Sequence, residues 1–412
     1  MVLTGLKPAT TYYYQIVSGN STVERFLSPR APGDPTSFNI SVVVDLGVYG
    51  DNGYTVNDNN AASGGDLSPP SVTPDLYHTT IARLAETIDE YEVVIHPGDF
   101  AYADDWYYKP KNLLSGTETY QAILEKFYDQ LAPIASRKVY QASPGNHEAD
   151  CTEIPYTAQQ CPAGQYNFTD FQHRFGNMLP PAFPSSSTSK SAQALAAKAR
   201  QLSKPPFWYS FEYASAHVVM IDTETDFPTA PDGLSGSQHL QAGPFGTPNQ
   251  QIDFVKADLA SVDRTITPWV IVAGHRPWYT TTTDDSSECA PCRQAFEDVL
   301  YQYGVDVGVF GHVHNSQRFM PVYQNKADPN GLSDPKAPMY IVSGGTGNIE
   351  GRTSVGTKQS YNAFAYADEF SYATLNIKDR SHLQVNFYKS TSGELLDSSV
   401  LYKKHDDSFV VQ

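Results

Sequence analysis

From Phe38 onward the chain sets short apolar runs against polar, glycine-bearing turns and segments of helical spacing, the pattern of an α/β protein. The runs are Ile40-Ser-Val-Val-Val, Glu92-Val-Val-Ile-His, Lys138-Val-Tyr-Gln-Ala, His217-Val-Val-Met-Ile, Trp269-Val-Ile-Val-Ala, Val305-Asp-Val-Gly-Val-Phe and Met339-Tyr-Ile-Val. They predict the strands of a large mixed sheet system. Helices are predicted over Asp75 to Tyr91, Thr117 to Ala132 and Asn249 to Val262, and closing strands over Tyr372 to Ile377 and His382 to Tyr388. Between Pro181 and Pro206 a Ser/Ala/Lys-rich stretch without an acidic residue reads as a surface insertion. No internal repeat is found.

The opening residues follow another pattern. After Leu6-Lys-Pro, Thr11-Tyr-Tyr-Tyr-Gln-Ile-Val alternates as a strand does, and the segment stops at Ser28-Pro-Arg-Ala-Pro-Gly-Asp-Pro. One strand or hairpin cannot form a sandwich, so residues 1–34 are expected to be the end of a β-domain whose beginning is missing from this chain. The start carries no basic head, apolar stretch and small-residue cleavage site, so no signal peptide is read there.

Composition narrows the classes. A chain of 412 residues holds one large domain with an appendage, or two to three ordinary ones. No apolar run approaches the roughly 18 residues that suggest a membrane span, which excludes membrane insertion. A formal charge of −17 is the wrong sign for gripping nucleic acid or an acidic membrane surface. The four cysteines form two local pairs, Cys151 with Cys161 and Cys289 with Cys292, and disulfides are the favoured reading over a zinc or redox-active site. Sequons at Asn20, Asn39 and Asn167 agree with a secretory route.

The informative residues stand where the strands end. Asp45 follows the first run in Asp-Leu-Gly, and Asp99 follows the second in Gly-Asp-Phe-Ala-Tyr102. Asn146-His147-Glu148 follow the third, His275 closes Val-Ala-Gly-His, and His312 and His314 close Gly-His-Val-His. Ligands of open α/β sheets bind outside the carboxyl ends of strands, so residues far apart in sequence can converge there. Oxygen and imidazole donors gathered at one sheet edge make a metal site.

This ordered set resembles the five motif blocks of the purple acid phosphatases, within the calcineurin-like metallophosphoesterases. So do Asp258 to Tyr279, Ser343-Gly-Gly-Thr-Gly-Asn-Ile-Glu-Gly and the tail His382-Leu-Gln-Val-Asn-Phe-Tyr. The opening Leu3-Thr-Gly-Leu-Lys-Pro resembles the last strands of the fibronectin-like domain of larger plant and fungal members. The resemblance implies a four-layer α/β sandwich, two mixed β-sheets packed face to face with helices outside. It implies a fibronectin-like remnant at 1–34, a catalytic domain at 35–380 and packed C-terminal strands at 381–412.

It also implies a dinuclear centre with no organic cofactor. Carried over by position, Asp45, Tyr102 and His314 would bind Fe(III), Asn146, His275 and His312 a divalent ion (Zn, Mn or Fe(II)), and Asp99 would bridge them. Hard anionic donors suit the trivalent ion, and imidazoles with a neutral amide suit the divalent one. Gly47 is the subfamily mark: most calcineurin-like esterases carry Asp-X-His where this chain has Asp-X-Gly. The implied activity is acid hydrolysis of phosphate monoesters by a hydroxide held between the metals, whose charge offsets the acidic surface.

His147, beside a ligand without being one, is the expected catalytic imidazole. Glu148 is expected to orient His147 or a ligand. Plant members carry further histidines where this chain has Thr280-Thr-Thr-Thr-Asp-Asp, which leaves the second acid and the substrate preference open. His96 reads as a core histidine and Asp222 as a loop cap. Two rivals are weighed: a phosphodiesterase or nucleotide pyrophosphatase on the same scaffold, disfavoured by the absent Asp-X-His, and a non-catalytic homologue, disfavoured by the complete donor set; phytase on this scaffold is kept as an alternative.

Overall fold

The computed structural model describes residues 3–16, 22–48, 80–108, 117–150, 165–176, 185–238, 240, 242–282, 288–348 and 350–406. Cys151, Cys161, Asn20 and the start of the predicted helix at Asp75 lie outside them. The first elements are β1 (Thr11–Tyr14), β2 (Glu24–Leu27), β3 (Phe38–Val42), α1 (Thr80–Glu86), β4 (Val93–Pro97), α2 (Thr117–Ala135) and β5 (Val139–Ser143). Then come α3 (Thr169–Phe175), α4 (Lys190–Leu202), β6 (Tyr209–Tyr213), β7 (Ala216–Met220), α5 (Gln250–Ala260), β8 (Trp269–Ala273) and α6 (Ala290–Gln302). The rest are β9 (Val307–Phe310), β10 (Ser316–Phe319), β11 (Val322–Tyr323), β12 (Lys326–Ala327), β13 (Met339–Ser343), β14 (Asn362–Tyr366), β15 (Ser371–Ile377), β16 (His382–Lys389) and β17 (Leu395–Tyr402).

Two large mixed sheets form the body. One is six-stranded, β17-β16-β15-β3-β4-β5, with β3, β4 and β5 parallel. The other is seven-stranded, β14-β10-β13-β9-β8-β7-β6, with β13, β9, β8 and β7 parallel. The parallel strands β4, β8, β9 and β13 are buried throughout, which is why they read as unbroken apolar runs. Parallel neighbours need crossovers, which α1 and α2 supply in the first sheet and α5 and α6 in the second. The sheets meet in one core, where Tyr209 on β6 donates to Ala142 O on β5 (2.8 Å) and Ser343 on β13 donates to Val42 O on β3 (3.2 Å). The strands β16 and β17 extend the six-stranded sheet through β15.

The opening segment is a hairpin. β1 and β2 pair antiparallel as a small separate sheet, and Tyr14 OH donates to Ser136 O at the end of α2 (2.9 Å). Arg30 forms a two-pronged pair with Glu92 (2.7 and 2.6 Å), joining the segment to the start of β4.

The structure departs from the sequence reading in identifiable places. The stretch taken as a surface insertion contains α4, capped by Ser189 and burying Ala192, Ala196 and Ala199, and it packs on α5. The strands β6, β10, β14 and β17 and the helices α3 and α6 were not predicted. The reading of His96 as a core histidine fits its surroundings, where Nδ1 bonds the Tyr140 hydroxyl (2.6 Å); His217 Nε2 bonds Asp258 (2.8 Å). Asp222 caps its own loop, accepting from Glu224 N (2.7 Å) and Thr225 N (3.2 Å). Cys289 and Cys292 are joined by a disulfide at the N-terminus of α6. Asn39 lies in β3 with its amide donating to Glu90 O (2.7 Å), and Asn167 Oδ1 accepts from Gly243 N (2.7 Å). No described helix is long and apolar enough to cross a membrane.

Candidate active site

Five parallel strands aim their carboxyl ends at one edge of the two sheets. Asp45 follows β3, Asp99 and Tyr102 follow β4, and Asn146 opens a single 3-10 turn after β5. His275 follows β8, and His312 and His314 follow β9. Beyond β3 the pairing with the β4 loop continues, Leu46 N to Asp99 O (3.1 Å) and Gly47 N to Phe100 O (2.8 Å), so Asp45 and Asp99 are held side by side. Asp45 (φ 60°), Asp99 (φ 54°), Tyr102 (φ 54°) and His312 (φ 63°) all have left-handed backbone. Such a conformation costs a non-glycine residue about 1–3 kcal/mol, and its recurrence at four donors marks a functional centre.

Glycines allow the loops to close over one another. A Cβ on Gly145 would lie 2.2 Å from Asp99 Oδ1, and one on Gly311 would lie 2.4 Å from Asp45 Oδ2. Gly47 has φ +74°, and a Cβ there would stand 2.7 Å from Gly347 O and 2.8 Å from Asn348 Cα. The Asp-X-His form of the motif cannot be accommodated unless the turn after β13 moves. Gly47→His is therefore expected to destabilise the fold by about 2–5 kcal/mol, combining overpacking with a strained φ. Denaturant unfolding reads this, and an unchanged midpoint would mean that the turn yields freely.

The side chains converge in a buried cluster. Tyr102 OH donates to Asp45 Oδ1 (2.9 Å) and lies 3.0 Å from His314 Nε2. His275 Nε2 lies 3.0 Å from Asp99 Oδ2 and 3.1 Å from Asn146 Oδ1, while its Nδ1 faces Pro97 O (3.1 Å). Asp99, His275 and His312 present ligand atoms within 4.8 Å of one another. Asp45 Oδ2 accepts from His312 N (2.8 Å), which ties the β3 and β9 loops together.

Electrostatics follow from burial. Asp45 is pushed well above the usual carboxylate range by burial and by the neighbouring Asp99. Burial acts on Asp99 in the same sense, but the imidazoles of His275 and His147 outweigh it and hold Asp99 well below that range. Burial opposes charge on His275, yet Asp99 and Asp45 raise it to about 9. Burial lowers His314 to about 3 and, with Arg276 beside it, holds His312 well below its ordinary value. Burial, then Asp45 and Asp99, hold the Tyr102 phenol well above its ordinary value. Buried carboxylates need a positive partner, and two neutral imidazoles beside them offer lone pairs rather than charge. The donor set therefore suits cations.

Around the cluster, His147 is held from one side. Its Nδ1 faces both oxygens of Asp104 (2.9 and 2.8 Å), its ring packs on Tyr102 with centroids 4.0 Å apart, and its backbone N donates to Asp99 Oδ1 (3.0 Å). Its Nε2 lies 3.9 Å from Asp99 Oδ2 and 3.9 Å from Glu350 Oε1. Glu148 grips backbone, accepting from Asp99 N (2.9 Å), Phe100 N (2.9 Å) and Gly145 N (2.8 Å), so it fixes the turn that carries Asp99.

Sequence reasoning missed Asp104, Glu350 and Arg276. Asp104 could have been found in the Tyr102-Ala-Asp step, where a helical turn carries a carboxylate back toward its neighbours. Arg276, next to His275, pairs with buried Glu224 (2.6 Å), lies 3.7 Å from Asp232 and touches His312 Nε2 (2.9 Å).

Comparison with known proteins identifies the family. The family model for calcineurin-like phosphoesterases matches residues 48–316, and that for the iron/zinc purple acid phosphatase-like protein C matches residues 337–398. Fold and motif order thus define a phosphoesterase. Acid phosphatase A of Cryphonectria parasitica is 59% identical over 414 residues, covering 100% of this chain and 82% of its own. An acid phosphatase of Aspergillus ficuum is 28% identical, covering 97% and 74%. The fold of a purple acid phosphatase from yellow lupin (Lupinus luteus) seeds matches with a TM-score of 0.65 at 21% identity, covering 97% of this chain and 61% of the lupin chain. The chain belongs to the calcineurin-like phosphoesterases, in their purple acid phosphatase branch, and is an enzyme.

Proposed function

We propose that this protein hydrolyses phosphate monoesters to an alcohol and inorganic phosphate at a dinuclear centre of Fe(III) and a divalent ion, Zn, Mn or Fe(II). The observation that carries the reading is the convergence of two carboxylates, a phenol, an amide and imidazoles in one buried cluster at the carboxyl ends of parallel strands. Asp45, Tyr102 and His314 would hold the iron, Asn146, His275 and His312 the divalent ion, and Asp99 would be shared. When bound, the metals supply Lewis-acid polarisation of phosphoryl oxygens and an activated water.

The remaining steps fall to the chain's own groups. Asp104 fixes His147 through Nδ1, leaving Nε2 to face the centre. From there it donates to a phosphoryl oxygen or to the departing alkoxide, which must gain a proton as the P–O bond breaks. Glu148 keeps the Asp99 turn from shifting. Burial of the donors strengthens each interaction among them.

The same reading divides the chain into a fibronectin-like β-segment at 1–34, the catalytic domain at 35–380 and C-terminal strands at 381–412. It assigns the protein to a secretory route, supported by the Cys289–Cys292 disulfide. Metal analysis with a visible spectrum tests the reading. One iron and one second metal per chain are expected, with a charge-transfer band that Tyr102→Phe abolishes. A colourless wild type carrying full iron, or an unchanged spectrum in the variant, overturns the assignment. Faster turnover of a diester than of a monoester would favour the phosphodiesterase alternative.

A further inference from the structure

Outside the seven donors, one carboxylate stands between the centre and water. Glu350 belongs to the turn after β13, in Gly347-Asn-Ile-Glu-Gly. Its Oε1 lies 3.9 Å from His147 Nε2 and its Oε2 lies 3.8 Å from His314 Nδ1. The Glu350 side chain is 28% exposed, against 3% for His147 and 11% for His314, so it is the outermost of the three.

Charge around His147 does not balance. Asp104 faces Nδ1 with both oxygens (2.9 and 2.8 Å) and Glu350 stands off Nε2, so two carboxylates flank one imidazole and a protonated ring offsets only one of them. Asp104 is buried, and the surplus negative charge is therefore presented by Glu350, on the open side. Arg352, two residues on, is turned elsewhere: it donates to Ala367 O (2.7 Å) and to Asp368 O and lies over the Phe370 ring.

Distance decides what this charge can meet. In the monoesterase reading the leaving oxygen takes its proton from His147 Nε2 and so lies about 3 Å from it, which puts that oxygen within about 7 Å of Glu350 Oε1. An amino group on the second carbon stands about 3–4 Å from the leaving oxygen at ordinary bond lengths, and an ammonium meets a carboxylate at about 2.8 Å. The two reaches together span about 6–7 Å, so such an ammonium can pair with Glu350 while the ester oxygen stays at His147. A carboxylate at the same place on the substrate would meet like charge.

Resting on the monoesterase reading above, we infer that Glu350 sets the specificity for the leaving group, and that the preferred substrates are monophosphates of amino alcohols. Neutral alkyl phosphates rank below them, and phosphorylated hydroxy acids rank last.

Three substrates of similar size test this, 2-aminoethyl phosphate, propyl phosphate and phosphoglycolate, each with the wild type, Glu350→Gln and Glu350→Lys. In the wild type kcat/KM should fall in that order, by about fivefold at the first step, the worth of one partly exposed ion pair. Glu350→Gln should bring the first two substrates within about twofold of each other, and Glu350→Lys should put phosphoglycolate first. Ratios are compared within each protein, so a uniform change in rate cancels. No preference for the amino compound in the wild type overturns the inference. So does a wild-type order kept in both variants, the result expected if Glu350 only steadied His147 or His314. Calorimetric titration of the metal-loaded protein with 3-aminopropylphosphonate and butylphosphonate reads the same contact without turnover. Tighter binding of the amino compound that Glu350→Gln abolishes supports the inference even if no monoester were hydrolysed, an outcome that would overturn the functional reading alone. Equal binding of the two phosphonates, or binding of neither, overturns the role of Glu350.

Discussion

Replacing His147 with alanine is expected to lower kcat by about 10²–10⁴ while both metals stay bound, the usual contribution of a positioned acid or base. The imidazole is buried, anchored at Nδ1 by Asp104 and packed against Tyr102, so its Nε2 has one direction in which to act. Its removal leaves the seven donors proposed for the metals intact. Alkyl phosphates should lose more than nitrophenyl phosphate, whose leaving group is stable without a proton. Asp104→Asn should fall between wild type and His147→Ala, since the ring remains but loses its charged anchor. Paired kcat measurements on the two substrates, with metal analysis of each variant, check this. Equal losses on both would reduce His147 to an electrostatic contact, and loss of a metal would place it among the ligands.

The second large effect is on stability. Arg276→Gln should destabilise the protein by about 3–5 kcal/mol, because Glu224 is wholly buried and would keep its charge without its guanidinium partner. Asp232, also buried and 3.7 Å from the same guanidinium, adds to the cost. The double variant Glu224→Gln/Arg276→Gln should recover the part of the loss that comes from Glu224, while Asp232 keeps its share. Urea unfolding of the four combinations measures the coupling. Additive losses would show that the pair is not the source of the stability.

Much of this molecule was legible in its sequence because burial on both faces leaves a strong mark. The strands β4, β8, β9 and β13 sit inside the sandwich and read as apolar runs, and the donors stand in the first turn after strands of this kind. Strand β10 is as buried as they are, yet its Ser-Gln-Arg-Phe spends its polar side chains internally, Ser316 on Ser371 and Arg318 on Asp397. Hydropathy cannot register polarity satisfied in that way. Helix α4 was missed for the opposite reason: Ala192, Ala196 and Ala199 form a buried stripe too slight to stand out, although Ser189 before them was a readable cap. Glu350 and Arg276 were illegible because a charged residue in a loop looks the same whether it meets water or a histidine.

The donors are divided between the sheets: Asp45, Asp99, Tyr102 and Asn146 hang from the six-stranded one, His275, His312 and His314 from the seven-stranded one. The spacing across the centre is therefore a readout of how one sheet sits on the other. Contacts deep in the sandwich set that seating, Ser343 on the Val42 carbonyl and Thr346 on the Val44 carbonyl among them. A substitution in the middle of the core, touching neither substrate nor donor, would act as a shim, and natural variation there can retune the reaction while every motif residue stays the same.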